Sequence, residues 1–335
     1  MKPTRCLILI FLIGAVVLTS AAVVRAQFTF TTNNGAITIT GYTGSGGTVV
    51  IPETINGYPV TTIGEAAFEY DFAISNVVIL DGITSISAMA FWVCTNLCGI
   101  TIPDSVTNIG DYAFSNCGFT RFIIPANVTI GSGMLSYCPS LTNVVIANGV
   151  TSISDGMFGG CGEVGTITIP NSLRNIGDGA FAYCNSVTNI IIPSSVTNMG
   201  DGVFEYCTNL TGAYFCGNAP GFLLLVFDTA PNSTVYYLPG TTGWGTNYAG
   251  APTAPWYLPN PLILNNEPGF GMQSNGFGFT VSWATNASVM VDASSNLSSP
   301  NWQPIQTNAL TVGTFYFTDP QWTSHPSRFY RLRSP

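Results

Sequence analysis

From Val77 onward the chain repeats one pattern of apolar and polar positions every 22 or 23 residues. Each unit opens with a three-residue alternating segment, as in Ile100-Thr101-Ile102 and Ile190-Ile191-Ile192. In a β-strand such alternation turns the outer two side chains inward and the middle one outward. Pro103, Pro125, Pro170 and Pro193 follow at once, and proline, lacking an N–H, ends the ladder there. A second short strand comes next, as in Val106-Thr107-Asn108-Ile109 and Val150-Thr151-Ser152-Ile153. The element G-D-x-A-F-x-x-C then predicts one helical turn, with Ala113, Phe114 and Cys117 on its inner face. An apolar residue closes each unit: Leu97, Phe119, Leu141, Val164, Val187 and Leu210.

Six such units run to Gly212, and an earlier one from Val49 carries a five-residue insertion around Asn56-Gly57-Tyr58-Pro59, making seven. A unit this small cannot bury its apolar residues alone. Stacking the units supplies one continuous core, which predicts a mostly β repeat solenoid. The I-x-I-P, V-T-x-I-G-D and A-F-x-x-C elements resemble the BspA-like leucine-rich repeats of bacterial surface proteins, over roughly residues 28–245. The resemblance implies a right-handed solenoid of short parallel strands, with roles in adhesion and in binding host or matrix proteins. The chain departs from the pattern in places. The unit from Phe122 is shortened and has Leu135 in place of Phe, and the unit from Val144 lacks the proline. An irregularity of curvature is expected there.

The flanks read differently. Residues 1–26 carry Lys2 and Arg5, an apolar run over 7–18, and Val24-Arg25-Ala26 before Gln27, the pattern of a secretory signal peptide. That run is short for a membrane span of about 20 residues, so export without a retained span is expected. Residues 27–48 alternate around Asn33-Asn34-Gly35 and predict a hairpin cap, ahead of the repeats in 49–212. Residues 213–249 read as a degenerate eighth unit and closing cap. Residues 250–275, with Pro252, Pro255, Pro259 and Pro261, predict an extended linker. Residues 276–335 contain short aromatic strands between Ser/Asn turns and predict a small β-sandwich, weakly resembling fibronectin-III-like modules.

Charge narrows the function. Only 7% of residues are charged, against about 25% in an ordinary soluble domain. Beyond residue 26 there are five arginines, no lysine and sixteen carboxylates, a net of −11. Nucleic acid and anionic lipid both need clustered cations, so neither is an expected partner. His325 is the one histidine, and no G-x-S-x-G, H-E-x-x-H or C-x-x-C element occurs. No catalysis, cofactor or metal site is expected.

Two ladders invite chemistry. Cys94, Cys117, Cys138, Cys161, Cys184 and Cys207 each fall three residues after the Phe or Leu landmark. Stacked in register they would have Cβ atoms about 4.8 Å apart, wider than the roughly 3.5–4.5 Å of a disulfide. They read as buried thiols. An oxidising compartment keeps disulfides open as the alternative, and Cys98 could pair with Cys216. Glu65, Asp111, Asp155, Asp178 and Asp201 stand just before the turn and read as N-caps, worth about 1 kcal/mol each. Calcium bridging is the alternative, although one carboxylate per rung supplies few of the 6–8 oxygens that calcium takes.

The exposed strand positions remain. One outward column runs Val78, Thr101, Ile123, Val145, Thr168, Ile191 and Tyr214. Arg121 lies in the column beside it, and Arg174 in a third column otherwise made of threonines. At about 4.8 Å per rung the face is about 30 Å long. Strand propensity alone accounts for Thr, Val and Ile. As a contact strip, the candidate protein-binding residues are Arg121, Ile123, Val145, Thr168, Arg174, Ile191 and Tyr214, with the arginines and the tyrosine as anchors. The expected protein is therefore a secreted or cell-surface, non-catalytic monomer that binds an extracellular protein or glycan. The alternative is a glycan-binding or structural envelope protein using Trp244, Trp256, Trp302 and Trp322.

Overall fold

A computed structural model describes residues 27–222, 225–256, 261–264, 270–274, 276–283, 287–311, 313–325 and 327–334. The expected signal peptide, 1–26, lies outside the described residues. The repeats form a β-solenoid of about nine turns. One column of parallel strands runs from Gly47–Ile51 to Ala251–Pro255, and a second from Ala36–Tyr42 to Gly221–Phe222. Register follows the repeat: Val77 lies beside Ile100, Val144 beside Ile167, and Ile190 beside Ala213. The ladder of the first column breaks between Gly99–Thr101 and Arg121–Ile124, and again between Thr166–Thr168 and Asn189–Ile192. The second column breaks between Thr129–Ile130 and Ser152–Ile153. Two of these breaks bracket the shortened unit from Phe122.

The core is a file of aromatic rings. Phe68, Phe91 and Phe114 stack at centroid spacings of 4.8 and 5.4 Å. Phe158, Phe181, Phe204 and Phe227 continue the file at 5.4–5.6 Å, with rings within 18° of parallel. Strand spacing sets this interval, and each stacked pair adds about 0.5–1.5 kcal/mol beyond its burial. The buried Leu135 interrupts the file, and Phe119 and Phe122 pack against Phe114 beside the gap.

The expected helical turn is not formed. Among the described residues the one helical element is the 3₁₀ turn Trp322–Ser324. The G-D-x-A-F-x-x-C segment makes two consecutive tight turns, with left-handed backbone at the residues two before and two after the phenylalanine. Tyr112 and Asn116 have φ of 54° and 55°, and Gly179 and Tyr183 have φ of 57° and 61°. Amides alternate in direction. Ala180 and Ala182 donate within their own turn, to Gly177 and Gly179. Gly179, Phe181 and Tyr183 donate across to Asp201, Val203 and Glu205 of the next rung, at 2.8–3.0 Å. A helix would keep all of these donors to itself, and the stack needs half of them to join its rungs. Left-handed backbone costs a non-glycine residue about 1–2 kcal/mol, which explains glycine at 133, 156, 179 and 202.

Both ladders serve this stacking. Asp111 Oδ1 accepts the amide of Ser132, Asp155 that of Asp178, and Asp178 that of Asp201, at 2.8–2.9 Å. These carboxylates cap the neighbouring rung rather than their own turn. The six ladder cysteines are free and buried. Each thiol donates to the carbonyl of the Phe or Leu landmark one rung back, as Cys184 does to Phe158 at 3.3 Å and Cys207 to Phe181 at 3.1 Å. Cys216 is also a free thiol, so the Cys98–Cys216 bond left open by the sequence is not made.

The ends are closed by hairpins. Phe28–Asn33 pairs with Ala36–Tyr42, and Phe28 and Tyr42 cover the first ring of the file, Phe68. At the other end Asn247–Tyr248 folds back on Ala251–Pro255, and the buried Tyr248 ring packs against Phe215 and Phe227. The described parts of the expected linker are strands, which corrects that expectation. Ala251–Pro255 pairs in parallel with Thr234–Tyr237. Leu262–Leu264 and Gly271–Gln273 pair with Gly276–Ser282. Proline biases its neighbour toward extended backbone, which suits a strand end as well as a connector.

The C-terminal unit has two antiparallel sheets. Gly276–Ser282 is central to one, flanked by Leu262–Leu264, Gly271–Gln273 and Thr314–Asp319; Ser288–Ser294 is central to the other, flanked by Gln303–Ala309 and Phe329–Arg333. Phe279, Val281, Val289, Val291, Leu310 and Phe317 form its core. Its three arginines are not loose edge charges. Arg328 pairs with Asp319 at 2.6 Å, and Arg331 and Arg333 converge on Asp292, whose side chain is 1% exposed. Burial opposes ionisation of Asp292, but hydrogen bonds from Arg333 and Arg331 overcome it and hold the carboxyl below its ordinary range.

Candidate functional site

Strand alternation builds the outer face. In Arg121–Ile124 the side chains of Phe122 and Ile124 are buried while Ile123 is 57% exposed. In Asn189–Ile192 the side chains of Ile190 and Ile192 are buried while Ile191 is 56% exposed. Ile123 lies beside Val145, and Val145 beside Thr168, across hydrogen-bonded strands. Arg121 heads its strand and is exposed. Ile191 lies beside Tyr214, whose ring is stacked on Tyr236 at 4.8 Å and 11°. Six of the seven candidate residues therefore share one strand column, in two stretches separated by the break between Thr168 and Ile191. Arg174 does not join them. It precedes Asn175–Ile176 of the second column, and its guanidinium donates to the Asn171 and Leu173 carbonyls at 3.3 Å.

The C-terminal stretch is not an open face. Trp256 and Leu262–Leu264 lie over it and enclose a cleft of about 890 Å³. Thr168, Asn171, Asn189, Ile191, Tyr214 and Trp256 are among its lining residues, and among the described residues none of the lining side chains is charged. The Trp256 amide donates to the Tyr237 carbonyl at 2.7 Å, and its ring meets Tyr214 at 4.9 Å and 58°. Sequence reasoning missed the cleft because it treated residues 250–275 as a connector, although a tryptophan among prolines was a signal. The other candidate aromatics divide. Trp244 is packed on Tyr237 and Phe215. Trp302 and Trp322 line a cavity of about 480 Å³ in the C-terminal unit, with His325 and Arg328.

The sulfur atoms of Cys184 and Cys207 are poor nucleophiles. Burial raises the Cys184 thiol and pushes Cys207 up to about 12, so at neutral pH both stay protonated. Among the described residues no three His, Cys, Asp or Glu side chains are grouped to hold a metal ion.

The profile of the BspA type leucine-rich repeat region matches the chain in six copies, over residues 61–185 and 128–228. Among solved structures, a leucine-rich repeat protein from Bacteroides ovatus is 27% identical over 63% of this chain and 70% of that one, with a TM-score of 0.43. A T. pallidum leucine-rich repeat protein is 29% identical over 62% of this chain and 88% of that one, with a TM-score of 0.45. A leucine-rich cell surface protein from Faecalibacterium prausnitzii is 21% identical over 57% of this chain and 94% of that one, with a TM-score of 0.26. No curated protein matches the chain. The profile matches together span residues 61–228, half of the sequence, on the same units that stack in register, and the chain belongs to the BspA-type leucine-rich repeat family.

Proposed function

We propose that this chain is a secreted or cell-surface, non-catalytic monomer that binds an extracellular protein through the outer strand face of its solenoid. One observation carries the reading. Ile123 stands more than half exposed on a sheet whose alternate side chains are buried, in a column with Val145 and Thr168. Exposed apolar side chains aligned on a rigid sheet form a contact patch that loses little conformational entropy on binding. Arg121 heads the same strand, is exposed and suits an anchoring role.

The signal-peptide pattern of residues 1–26 and the bacterial-surface type of the repeat family support an extracellular setting. No described helix is long and apolar enough to cross a membrane. The test is solid-phase binding of the chain from Gln27 to a panel of immobilised matrix proteins. Ile123→Glu and Arg121→Ala should each weaken capture at least about tenfold, with Ile305→Thr on the C-terminal unit as the unaffected control. Capture by no panel protein, or capture unchanged by Ile123→Glu, would overturn the reading.

A further inference from the structure

We infer that the cleft between the solenoid and Trp256 is a binding site for a neutral oligosaccharide chain, meeting the protein-binding stretch around Ile123 only at Thr168. The space arises where the strand ladder breaks between Thr166–Thr168 and Asn189–Ile192. Its volume, about 890 Å³, falls within the range of about 300–1,000 Å³ that ligand sites occupy. The Tyr214 ring is held from behind by the parallel ring of Tyr236. Trp256 meets it at 58°, and two rings at that inclination make an aromatic corner rather than a closed stack.

The chemistry of the walls selects the occupant. An anionic ligand, whether a nucleotide, an acidic glycan or a lipid headgroup, finds no cation among the described lining residues. A wholly apolar ligand would cover Asn171, Asn189, Thr168 and Ser194 and leave their polar groups unpaired. A sugar ring answers both surfaces. Its C–H faces pack on aromatic rings, and its hydroxyls both donate and accept. Side-chain amides and hydroxyls also both donate and accept. A cleft of this volume between a strand face and an overlying strand has room for more than one sugar ring.

The test uses the chain from Gln27 and six-residue oligomers of glucose (α- and β-linked), xylose, mannose and N-acetylglucosamine. Polygalacturonate, a phosphatidylglycerol vesicle and a neutral decapeptide are the contrasting probes. Calorimetry and tryptophan fluorescence should show saturable binding of at least one neutral oligomer. Trp256→Ala and Tyr214→Ala should each weaken it at least about tenfold in a chain that still unfolds cooperatively, Trp256→Phe should retain most of it, and Ile123→Glu should leave it intact. Cys216 is a free thiol in the lining, so the bound oligomer should slow its alkylation in the unmutated chain. That measurement needs no variant to fold. Binding of none of the neutral oligomers, binding of a contrasting probe alone, or oligomer binding that neither protects Cys216 nor responds to Trp256→Ala would each overturn the inference.

Discussion

Replacing Phe181 by alanine tests whether the repeats share one core. Phe181 is fully buried between two nearly parallel rings, Phe158 at 5.4 Å and Phe204 at 5.6 Å. Truncating a buried phenylalanine costs about 3–5 kcal/mol. A rung of 23 residues has a net stability of only about 1–3.5 kcal/mol, so the loss exceeds what the rung itself contributes. In a stack coupled only through neighbours, the rung should open locally and separate the array into two blocks. Phe181→Leu should cost clearly less than Phe181→Ala, because leucine fills most of the space and the same fold already holds Leu135, fully buried, at the equivalent position. Urea melts followed by tyrosine and tryptophan fluorescence should show one transition for Phe181→Leu and two for Phe181→Ala. Hydrogen exchange at the amides of Gly179, Phe181 and Tyr183, which bond across to the next rung, should accelerate in the alanine variant alone. Equal costs for the two substitutions, or a cost under about 1 kcal/mol for Phe181→Ala, would refute the shared core.

Two further predictions concern ionisable groups. A maleimide should label Cys216 in the folded protein but reach Cys184 and Cys207, which are buried with their thiols raised by that burial, only on unfolding; mass spectrometry of labelled peptides reads this directly. The Asp292 carboxyl is held below its unfolded value of about 3.9, so its stabilising contribution is present above that pH and is lost as the pH falls through the folded value. Acidification below about pH 4 should therefore loosen the C-terminal unit, and Arg331→Ala combined with Arg333→Ala, which strips the partners of a buried carboxylate, should move that transition to higher pH, as followed by Trp302 and Trp322 fluorescence.

The stacking was legible in the sequence because its landmarks are strong and local. Three-residue alternation, the proline that ends it and the file of phenylalanines each dictate one direction in space, and their repetition sets the register. The turn was misread because A-F-x-x-C has helical spacing of its apolar residues. The contrary signal was weaker: a glycine two positions before the phenylalanine at 156, 179 and 202, with Tyr183 and Tyr206 two positions after it. Nothing in the sequence assigned the aspartates to the next rung, since a capping carboxylate reads the same whichever amide it meets. Of the site, the outward column followed from alternation alone. The cleft did not, because it depends on Trp256 meeting Tyr214, residues far apart in sequence that only the folded chain brings together. Arg174, read from the sequence as part of a third column of the same contact strip, lies at the second strand column, away from the other six candidates.

The crosswise hydrogen bonding described above has an evolutionary corollary. Each turn offers amide donors to the rung after it and carbonyl acceptors to the rung before it, so an inserted copy of a whole unit meets compatible partners on both sides. The two hairpin lids stay in place whatever lies between them. Duplication or deletion of an in-frame block of one repeat would thus lengthen or shorten the molecule by a fixed step of about 4.8 Å while keeping it soluble. Relatives in this lineage are then expected to vary in size by integral increments.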